Sequence, residues 1–413
     1  MESSTLFEIA LGIAPPWYVE KIVFNEAGKR LDIFVDFIKG TRFEYEESGE
    51  KGIYRVHDTV NKTWRHLNFF QYECYINGRI PRVKIDEKKA RIIKAPWEGV
   101  SNGFTLLFEA LLLQLCKNMP VQKVGKIANV SDDKLWTMLE RYTDKTQKVS
   151  NYQGMSAIGM DETSRAKGHE YITLFVDLET KRTIFVTEGK DSKTVEKFAE
   201  DLKEHSISPE EITDVSCDMS AAFTKGVREN LPNAEITYDK FHIMKILNEA
   251  VDEVRKEESK EVQLLKGTKY IFLKNEWNLT AKESEKLKEI TISNLNLKTI
   301  KAYQLRGAFQ EIYKAETESQ FEDLLSKWYK SAIHSSLEPM KAAAKTIKKH
   351  WSGIVRWKIS QINNGILEGL NSVLQAAKSK ARGYKTFKCF KIIAYLITGK
   401  LDFSIFNPNY VEI

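Results

Sequence analysis

The chain has 413 residues and a formal net charge of +6, and its hydrophobic and charged fractions, 42% and 29%, are those of an ordinary globular protein. That length allows two or three domains. The sequence contains no run of about 18 apolar residues, the length that would indicate a membrane span. No basic N-terminal segment leads into an apolar one, so the sequence predicts a cytosolic protein. The four cysteines have no paired spacing, which argues against a disulfide framework and against the usual kind of zinc site.

The N-terminal part of the chain is predicted to be β-rich. The segment KRLDIFVDFI (29–38) alternates apolar and polar residues as a half-buried strand does. Shorter runs at 53–57 and 64–70 follow the same pattern, which ends near Trp97. This region is therefore predicted to form a small β domain.

Three helices are predicted next. They cover an apolar run from Gly103, a short segment at 121–129, and a third segment that begins after the cap residue Ser131. The tight break between the second and third helices resembles a helix-turn-helix. A small helical linker would give the same pattern, and the third helix opens with Asp132 and Asp133, a poor start for a helix that approaches phosphates.

A second pattern of strands begins near Ser156. Three alternating segments predict an antiparallel meander, and a helix, a buried strand, a second helix and a further strand follow. The predicted strands are residues 156–164, 171–178, 182–189, 212–218 and 234–239. This order is that of an RNase H-like fold.

A long helical stretch rich in Glu and Lys then interrupts this scheme. It exceeds any loop of a compact domain and is interpreted as a helical insertion. The fold class is therefore α/β, with an RNase H-like domain that contains a large helical insertion. The predicted segments are a β-rich domain 1–98, a helix-turn-helix 99–150, the first part of the α/β domain 151–244, the insertion 245–351, and the last part of the α/β domain 352–413.

The last segment has an unusual charge distribution. Between Lys341 and Lys400 there are thirteen Lys or Arg residues, and Glu368 is the only acidic one. Such a segment favours a polyanion as partner, with nucleic acid the first candidate, although a solvated lysine-rich face would look the same. The predicted DNA contacts are Lys378, Lys380, Arg382, Lys385 and Asn371, and the four cations are expected to steer phosphates toward Glu368.

Glu368 lies in a predicted amphipathic helix. Its polar face would hold Asn364, Glu368, Asn371, Gln375 and Arg382, and its apolar face Leu367, Leu370, Leu374 and Ala377. The carboxylate would thus lie on a polar stripe that the apolar stripe anchors to a core. The simpler alternative is an acidic residue that the helix dipole favours near a helix N-terminus.

Two aspartates are candidate partners of Glu368. Asp161 falls within the first strand of the α/β domain and Asp218 at the end of the fourth, and these strands are parallel neighbours in an RNase H-like sheet. Three converging carboxylates repel one another unless divalent cations lie between them, and oxygen ligands favour Mg²⁺ or Mn²⁺. Two such ions would activate a water or a 3′-hydroxyl for phosphodiester chemistry. The alternative for each aspartate alone is a turn or helix cap, for which Asp218 is well placed.

A further acid and a histidine occur where a strand turns into a helix, in DKFHIMK. His242 is a candidate accessory residue that contacts phosphate or water, with Asp239 beside it. The alternative is a helix-capping Asp239 with a satisfied His242, and the sequence does not choose between the two.

Several of these segments together carry a family resemblance. They are VHDTVNKTWRHLNFFQYECYINGRIPRVK, FTLLFEALLLQL with MPVQKVGKIANVS, GMDETS, SCDMSAAF, YDKFHIMK and NNGILEGLNSVLQAAKSKARGYKTF. In order and spacing the chain resembles the DDE transposases of the ISL-three insertion-sequence family over nearly its whole length. The resemblance implies that Asp161, Asp218 and Glu368 are the DDE triad that binds Mg²⁺. It also implies DNA cleavage and strand transfer at the element's terminal inverted repeats, a dimer or larger assembly on DNA, and a nucleoid-associated place in a prokaryotic cytoplasm.

One departure concerns the N-terminal domain, which in this family resembles a zinc ribbon with two cysteine pairs. The corresponding places are YEES (45–48) and IDEK (85–88), so no structural zinc is expected. We expect packing alone to hold the domain together, around Trp64, Phe69, Phe70 and Trp97. His57 and His66 are interpreted as core residues or phosphate contacts.

Two rival functions remain open from the sequence. One is an RNase H-like nuclease that cuts DNA without joining it. The other is an inactive or repurposed transposase that only binds DNA, which the missing cysteines favour and the three intact acids oppose.

Overall fold

A computed structural model describes residues 3–47, 50–85, 90–101, 103–166, 170–293, 297–362 and 365–411. The chain divides into two compact units, one formed by 1–150 with 376–413 and the other by 151–375. The predicted last segment, 352–413, is therefore divided after Gln375 instead of belonging wholly to the α/β domain. Asn364 and parts of the two places compared with the cysteine pairs, namely Ser48 and residues 86–88, lie outside the described residues.

The first unit begins with a helix and a six-stranded sheet. These elements are α1 (Ser3–Leu11), β1 (Trp17–Asn25), β2 (Arg30–Phe37), β3 (Arg42–Glu47), β4 (Glu50–Arg65), β5 (Glu73–Lys84) and β6 (Ala90–Ile92). The sheet order is β1-β2-β5-β4-β3, with β6 paired to β5. Every second residue of β2 is buried, so the alternation read in KRLDIFVDFI is confirmed.

The aromatic core of this sheet differs in part from the prediction. Trp64 and Trp97 are buried and meet edge to face with ring centroids 5.8 Å apart. The strand predicted at 64–70 is wrong beyond Arg65, where β4 ends. Phe70 is 80% exposed in the left-handed region, φ +52°, because the chain turns tightly there. Phe70 is therefore not a core residue.

The three predicted helices are confirmed as α2 (Leu106–Asn118), α3 (Val121–Ala128) and α4 (Asp132–Lys148). Asn129 closes α3 in the left-handed conformation, φ +51°. At Gly125 a Cβ would lie 2.7 Å from the carbonyl oxygen of Val130, so a glycine permits the close turn between α3 and α4. Ser131 occupies the N-cap position of α4, without a side-chain cap hydrogen bond in the described part of the chain.

The second unit is built on a five-stranded sheet. Its strands are β7 (Ala157–Ala166), β8 (Glu170–Asp177), β9 (Arg182–Glu188), β10 (Asp214–Cys217) and β11 (Glu235–Tyr238), with helices α5 (Lys193–Glu204) and α6 (Ala221–Asn230) between them. The order is β11-β10-β7-β8-β9. The first three strands are antiparallel to one another, and β10 runs parallel to both β7 and β11. The predicted meander and the predicted parallel pairing of the first and fourth strands are thus confirmed.

The helical stretch packs into the same hydrophobic core as this sheet. Its helices are α7 (Lys240–Glu258), α8 (Lys269–Leu273), α9 (Ala281–Ser293), α10 (Lys298–Ile312), α11 (Glu318–Ile333), α12 (Glu338–Lys349), α13 (Trp351–Val355) and α14 (Trp357–Ser360). Strand residues such as Val215 and helical residues such as Phe309 and Ile347 belong to one cluster. The predicted insertion is therefore helical, but it shares its core with the α/β sheet.

The chain ends with two long helices, α15 (Gly365–Ala381) and α16 (Phe387–Thr398). Residue 382 was predicted to continue the polar face of the first of these, which is wrong. Arg382 has φ +59° and lies outside α15. The Gly383 N–H donates to the Lys378 carbonyl at 2.8 Å, which closes the helix end. In the described part of the chain, no helix is both long and apolar enough to cross a bilayer.

Candidate active site

Three aspartates lie side by side on neighbouring strands, Asp161 within β7 and Asp218 and Asp239 directly after β10 and β11. The parallel pairing of β10 with β7 aligns Ser216 with Gly159, and two residues further along the same register Asp218 comes level with Asp161. The pairing of β10 with β11 aligns Cys217 with Tyr238, and the Asp239 N–H donates to the Cys217 carbonyl at 3.0 Å. Asp239 is therefore the neighbour of Asp218, and the row is Asp161, Asp218, Asp239.

Helix α15 lies along β7 and covers Asp161. Gly159 approaches Leu367 so closely that a Cβ on the glycine would lie 2.6 Å from a Leu367 methyl group. Two residues along the strand, the Asn371 amide donates to Asp161 Oδ2 at 2.7 Å. Every second strand residue faces the helix and every fourth helix residue faces the strand, since two strand residues span about 6.8 Å and four helix residues about 6 Å.

A third contact continues this alignment. The Gln375 amide donates to Thr163 Oγ1 at 2.7 Å, again two strand residues and four helix residues further on. The polar stripe predicted on this helix therefore faces the sheet at Asn371 and Gln375. Leu367 and Leu374 of the predicted apolar stripe are buried as expected.

The environment of Asp161 disfavours its charged form. The pKa of this carboxyl is raised to about 6, mainly by burial and in smaller part by the neighbouring Asp218 and Asp239. His242 and the Glu162 N–H, which donates to Oδ1 at 2.8 Å, act in the opposite direction. Asp161 thus accepts hydrogen bonds from the Glu162 N–H and the Asn371 amide, while burial and its acidic neighbours disfavour its negative charge.

Asp218 is held by the turn that follows β10. Its Oδ1 accepts a hydrogen bond from the Ser220 N–H at 3.0 Å. The N-cap position of α6 belongs to Ser220 and not to Asp218. The capping alternative considered for Asp218 is therefore not what the structure shows.

Asp239 and His242 form a pair at the start of α7. Asp239 is buried and caps the helix, accepting from the Phe241 N–H at 3.1 Å. Its other oxygen lies 3.0 Å from His242 Nδ1. This hydrogen bond is the main reason that the pKa of His242 is raised, and Asp161 and Asp218 add to the effect. The capping interpretation of Asp239 is confirmed. The negative charges of all three aspartates act on His242.

Glu368 lies in the first turn of α15, as predicted. Its side chain is exposed, and partial loss of hydration followed by the charge of Asp239 raises its pKa, which His242 opposes. The charges of Asp239 and His242 therefore act on Glu368. Because Asp239 belongs to the aspartate row, Glu368 is coupled electrostatically to that row.

The donor set of this site suits a hard divalent cation. Within the described residues, no three carboxylate, imidazole or thiolate groups are drawn together closely enough to enclose an ion. Beside Asp161, however, the Asn371 Oδ1 atom is buried and has no hydrogen-bond partner in the described part of the chain. An amide oxygen of this kind among carboxylates matches the oxygen ligands, or the water ligands, of Mg²⁺ or Mn²⁺.

Comparison with known proteins decides the family. A family model described as a transposase matches residues 158–394, more than half of the chain, and one described as the helix-turn-helix domain of transposase family ISL3 matches residues 102–143. The chain belongs to this transposase family. The transposase match covers every residue of the site described above, and the second match covers α2, α3 and the greater part of α4.

Relatives of known name agree with this assignment. The transposase is 24% identical to the transposase for insertion sequence element IS1001 of Bordetella parapertussis, over 81% of this chain and 84% of that protein. It is 22% identical to the transposase for insertion sequence element IS1557 of Mycobacterium tuberculosis, over 96% of each chain. The similarity therefore extends across both compact units.

The residues predicted to contact DNA are divided between the two compact units. Lys378 and Lys380 lie in the last turns of α15, and Arg382 and Lys385 lie in the loop that follows. All four belong to the first unit, together with the helix-turn-helix. Asn371, by contrast, lies in the second unit and donates to Asp161.

Sequence reasoning missed two structural features of the site. Gly159 lets α15 approach β7, and Asp239, named only as an accessory residue beside His242, is the third member of the aspartate row. The second could have been found, because Asp161 lies within a predicted strand and Asp218 and Asp239 end the predicted strands 212–218 and 234–239. The role of Gly159 depends on contact with Leu367, more than two hundred positions later, which no local pattern records.

Proposed function

We propose that this transposase is a DDE-type enzyme that cleaves DNA at the terminal inverted repeats of an insertion sequence and joins the ends to a target. The observation that supports this is the aspartate row of neighbouring parallel strands with α15 lying along it. Asp161, Asp218 and Glu368 are the proposed catalytic carboxylates. The strand order, with three antiparallel strands followed by two parallel ones, supports an RNase H-like fold for this unit.

Asp161, Asp218 and Glu368 would hold Mg²⁺ or Mn²⁺, and no zinc site is proposed. When bound, such ions activate a water or a 3′-hydroxyl and stabilise the leaving oxygen of a phosphodiester. The residues of the chain prepare the site for this. The Asn371 amide and the Glu162 N–H orient Asp161, and the Ser220 N–H orients Asp218. The contact of Leu367 with Gly159 sets how closely the first turn of α15, which carries Glu368, approaches β7.

Asp239 and His242 are proposed as accessory residues. Asp239 holds Nδ1 of the imidazole, so the ring is fixed in orientation and its protonated form is favoured. A cationic His242 beside the carboxylates is suited to hold a phosphate oxygen of the DNA against the site. It would not replace any of the three carboxylates.

Double-stranded DNA is the proposed partner, both as terminal repeats and as target. Lys378, Lys380, Arg382 and Lys385 are proposed to contact its phosphates. Asn371 is now proposed as the residue that orients Asp161, because its amide is committed to that carboxylate. Because transposases of this kind act on two DNA ends at once, a dimer or larger assembly on DNA is proposed by family resemblance.

Strand cleavage and joining on DNA that carries the flanking repeats tests this function. The natural chain should give joined product only with Mg²⁺ or Mn²⁺, and Glu368→Gln and Asp161→Asn should give none. Glu162→Gln is the matched control, because its side chain points to the opposite face of β7, and it should stay active.

Each other result of this experiment has a definite meaning. Cleavage without joining would make the protein a nuclease. Tight binding of the repeats without cleavage, equal in the natural chain and in Glu368→Gln, would mean that the protein only binds DNA.

A further inference from the structure

The C-terminal segment of the chain folds onto the helix-turn-helix. Helix α16 packs against α4 and α2, and Lys388 forms a 2.6 Å ion pair with Glu140 of α4. The Asn407 amide is fully buried and donates to the Leu106 carbonyl at 2.8 Å and to the Tyr142 hydroxyl at 3.0 Å. Residues 376–413 are therefore an integral part of the unit that contains the helix-turn-helix.

The loop between α15 and α16 is fixed at both ends. On one side, the Gly383 N–H closes α15 by donating to the Lys378 carbonyl at 2.8 Å. On the other side, Thr386 caps α16 and accepts from the Cys389 N–H at 3.2 Å. The loop thus presents its side chains in a defined arrangement.

An aromatic contact anchors this loop on the third helix of the helix-turn-helix. The Tyr384 ring meets Trp136 of α4 edge to face at 6.4 Å and Phe390 of α16 at 5.8 Å. Trp136 and Glu140 are four residues apart, so one face of α4 contacts both the loop and α16. Asp132 lies on that same face, one turn closer to the helix start.

The charges of the two elements complement each other. The first turn of α4 holds two exposed aspartates, which oppose the attraction that a helix N-terminus normally has for phosphate. The loop next to Trp136 brings Arg382 and Lys385, both exposed, and Lys380 lies exposed just before it. The loop therefore supplies the positive charge that the start of α4 lacks.

We propose that α4 and the loop 382–385 form one composite surface that binds double-stranded DNA, with α4 in the groove and the loop cations on the adjoining phosphates. The basic loop thus belongs to end recognition and not to the catalytic carboxylates. This proposal depends on DNA binding by the helix-turn-helix domain. It does not depend on which acids are catalytic.

Binding of DNA without divalent cation tests the proposal independently of cleavage. The full-length chain would be titrated, in EDTA, against a duplex that carries the repeat flanking the gene and against an unrelated duplex of equal length. The test variant is Arg382→Asn with Lys385→Gln, since asparagine tolerates the left-handed conformation at 382. The matched control is Lys260→Gln with Lys288→Gln, which removes two exposed cations from the other unit.

The double loop variant should bind both duplexes about tenfold more weakly or worse at 0.1 M salt, and the slope of log affinity against log salt should fall by about two. The control variant should bind as the natural chain does. Equal affinity and slope in the loop variant would overturn the proposal. Intact binding with loss of strand joining would also overturn it, because the cations would then serve the catalytic site.

A second measurement locates the surface on DNA. A photoreactive residue at Thr137, exposed on α4, and one at Lys385 should crosslink to the same few base pairs of the flanking repeat. Crosslinks to separate parts of the duplex would contradict a composite surface. Trp136→Ala, which removes no charge but loses the ring contact with Tyr384, should weaken binding.

Discussion

The side-chain amide of Asn371 donates a 2.7 Å hydrogen bond to the carboxylate of Asp161, which lies 210 positions earlier in the chain. Asp161 belongs to a central strand and Asn371 to the helix that also carries Glu368, one turn before it. This single bond therefore joins the two elements from which the proposed catalytic carboxylates project. A residue that orients a carboxylate in this way affects a reaction without touching the substrate.

Removal of this bond should impair catalysis while DNA binding persists. Asn371→Ala is expected to lower the rate of strand cleavage by about 10- to 100-fold, the usual effect when the partner of a metal-binding carboxylate is lost. Asn371→Asp should be worse, because it places a negative charge 2.7 Å from Asp161. The measurement is the single-turnover cleavage rate at saturating Mn²⁺, alongside binding of the same duplex in EDTA.

Ser379→Ala serves as the control for Asn371, since it lies on the same helix and is exposed. It should cleave at the natural rate. A normal cleavage rate in Asn371→Ala would show that the hydrogen bond does not position Asp161 for the reaction. A loss of binding equal to the loss of rate would point to general damage instead.

The close approach of α15 to β7 should make residue 159 intolerant of any side chain. A Cβ at Gly159 would lie 2.6 Å from a Leu367 methyl and 2.9 Å from a Leu178 methyl. Gly159→Ala should therefore lower the free energy of unfolding by about 1–3 kcal/mol through overpacking. It should also reduce cleavage, because Glu368 follows Leu367 directly. Urea denaturation and the cleavage assay provide the two readouts.

The double variant Gly159→Ala with Leu367→Ala separates overpacking from other effects. Leu367→Ala alone should cost about 2–5 kcal/mol as a buried cavity, and the double variant should cost less than the sum of the two single changes. Strict additivity would mean that the two side chains do not compete for the same space. Gly369→Ala, where a Cβ would meet nothing within 4 Å, should not destabilise the protein.

Divalent cations should stabilise the natural chain against unfolding more than they stabilise the variant Asp161→Asn. The carboxylates of Asp161, Asp218 and Asp239 repel one another, and a bound cation removes that repulsion. A cation at 100 times its dissociation constant adds about 2.7 kcal/mol, so a rise of several degrees in the melting temperature is expected with Mn²⁺. Asp161→Asn should abolish most of this rise, and Glu162→Gln should retain it. An equal rise in all three proteins would show that Mn²⁺ binds elsewhere.

Local patterns predicted much of the site but not how the C-terminal segment is divided between the two units. The alternation around Asp161, the buried run before Asp218 and the periodicity around Glu368 are local, and the order of strands then fixed their neighbours. The division of the C-terminal segment after Gln375 could not be predicted, because the place of residues 376–413 depends on contacts such as that of Asn407 with Tyr142, 265 positions apart. A sequence pattern shows that a helix has an apolar face, but not which partner covers it.

Backbone conformations were the other source of error. Phe70 and Arg382 both adopt positive φ, which these residue types rarely do. The positive φ at Phe70 lies in the turn beyond the end of β4 and goes with a predicted core residue that faces outward. At Arg382 it ended a predicted helix one residue early, a place where the following Gly383 was the available signal.

Buried His66 should make the first unit sensitive to mild acid. Burial and the nearby Arg65 lower the pKa of this imidazole to about 4, and its Nδ1 lies 2.8 Å from Oγ1 of Thr105, the residue that caps α2. The unfolded chain takes up a proton near its ordinary pKa of 6.5. The folded chain does so only near pH 4, so stability is fully present above pH 6.5 and is lost as the pH falls toward 4. Between pH 7 and pH 5 this group should lower the free energy of unfolding by about 2 kcal/mol.

The variant His66→Gln should remove that part of the pH dependence in urea denaturation, whereas His57→Gln, a change at an exposed histidine, should leave it in place. A pH dependence unchanged in His66→Gln would show that His66 is not the group that titrates.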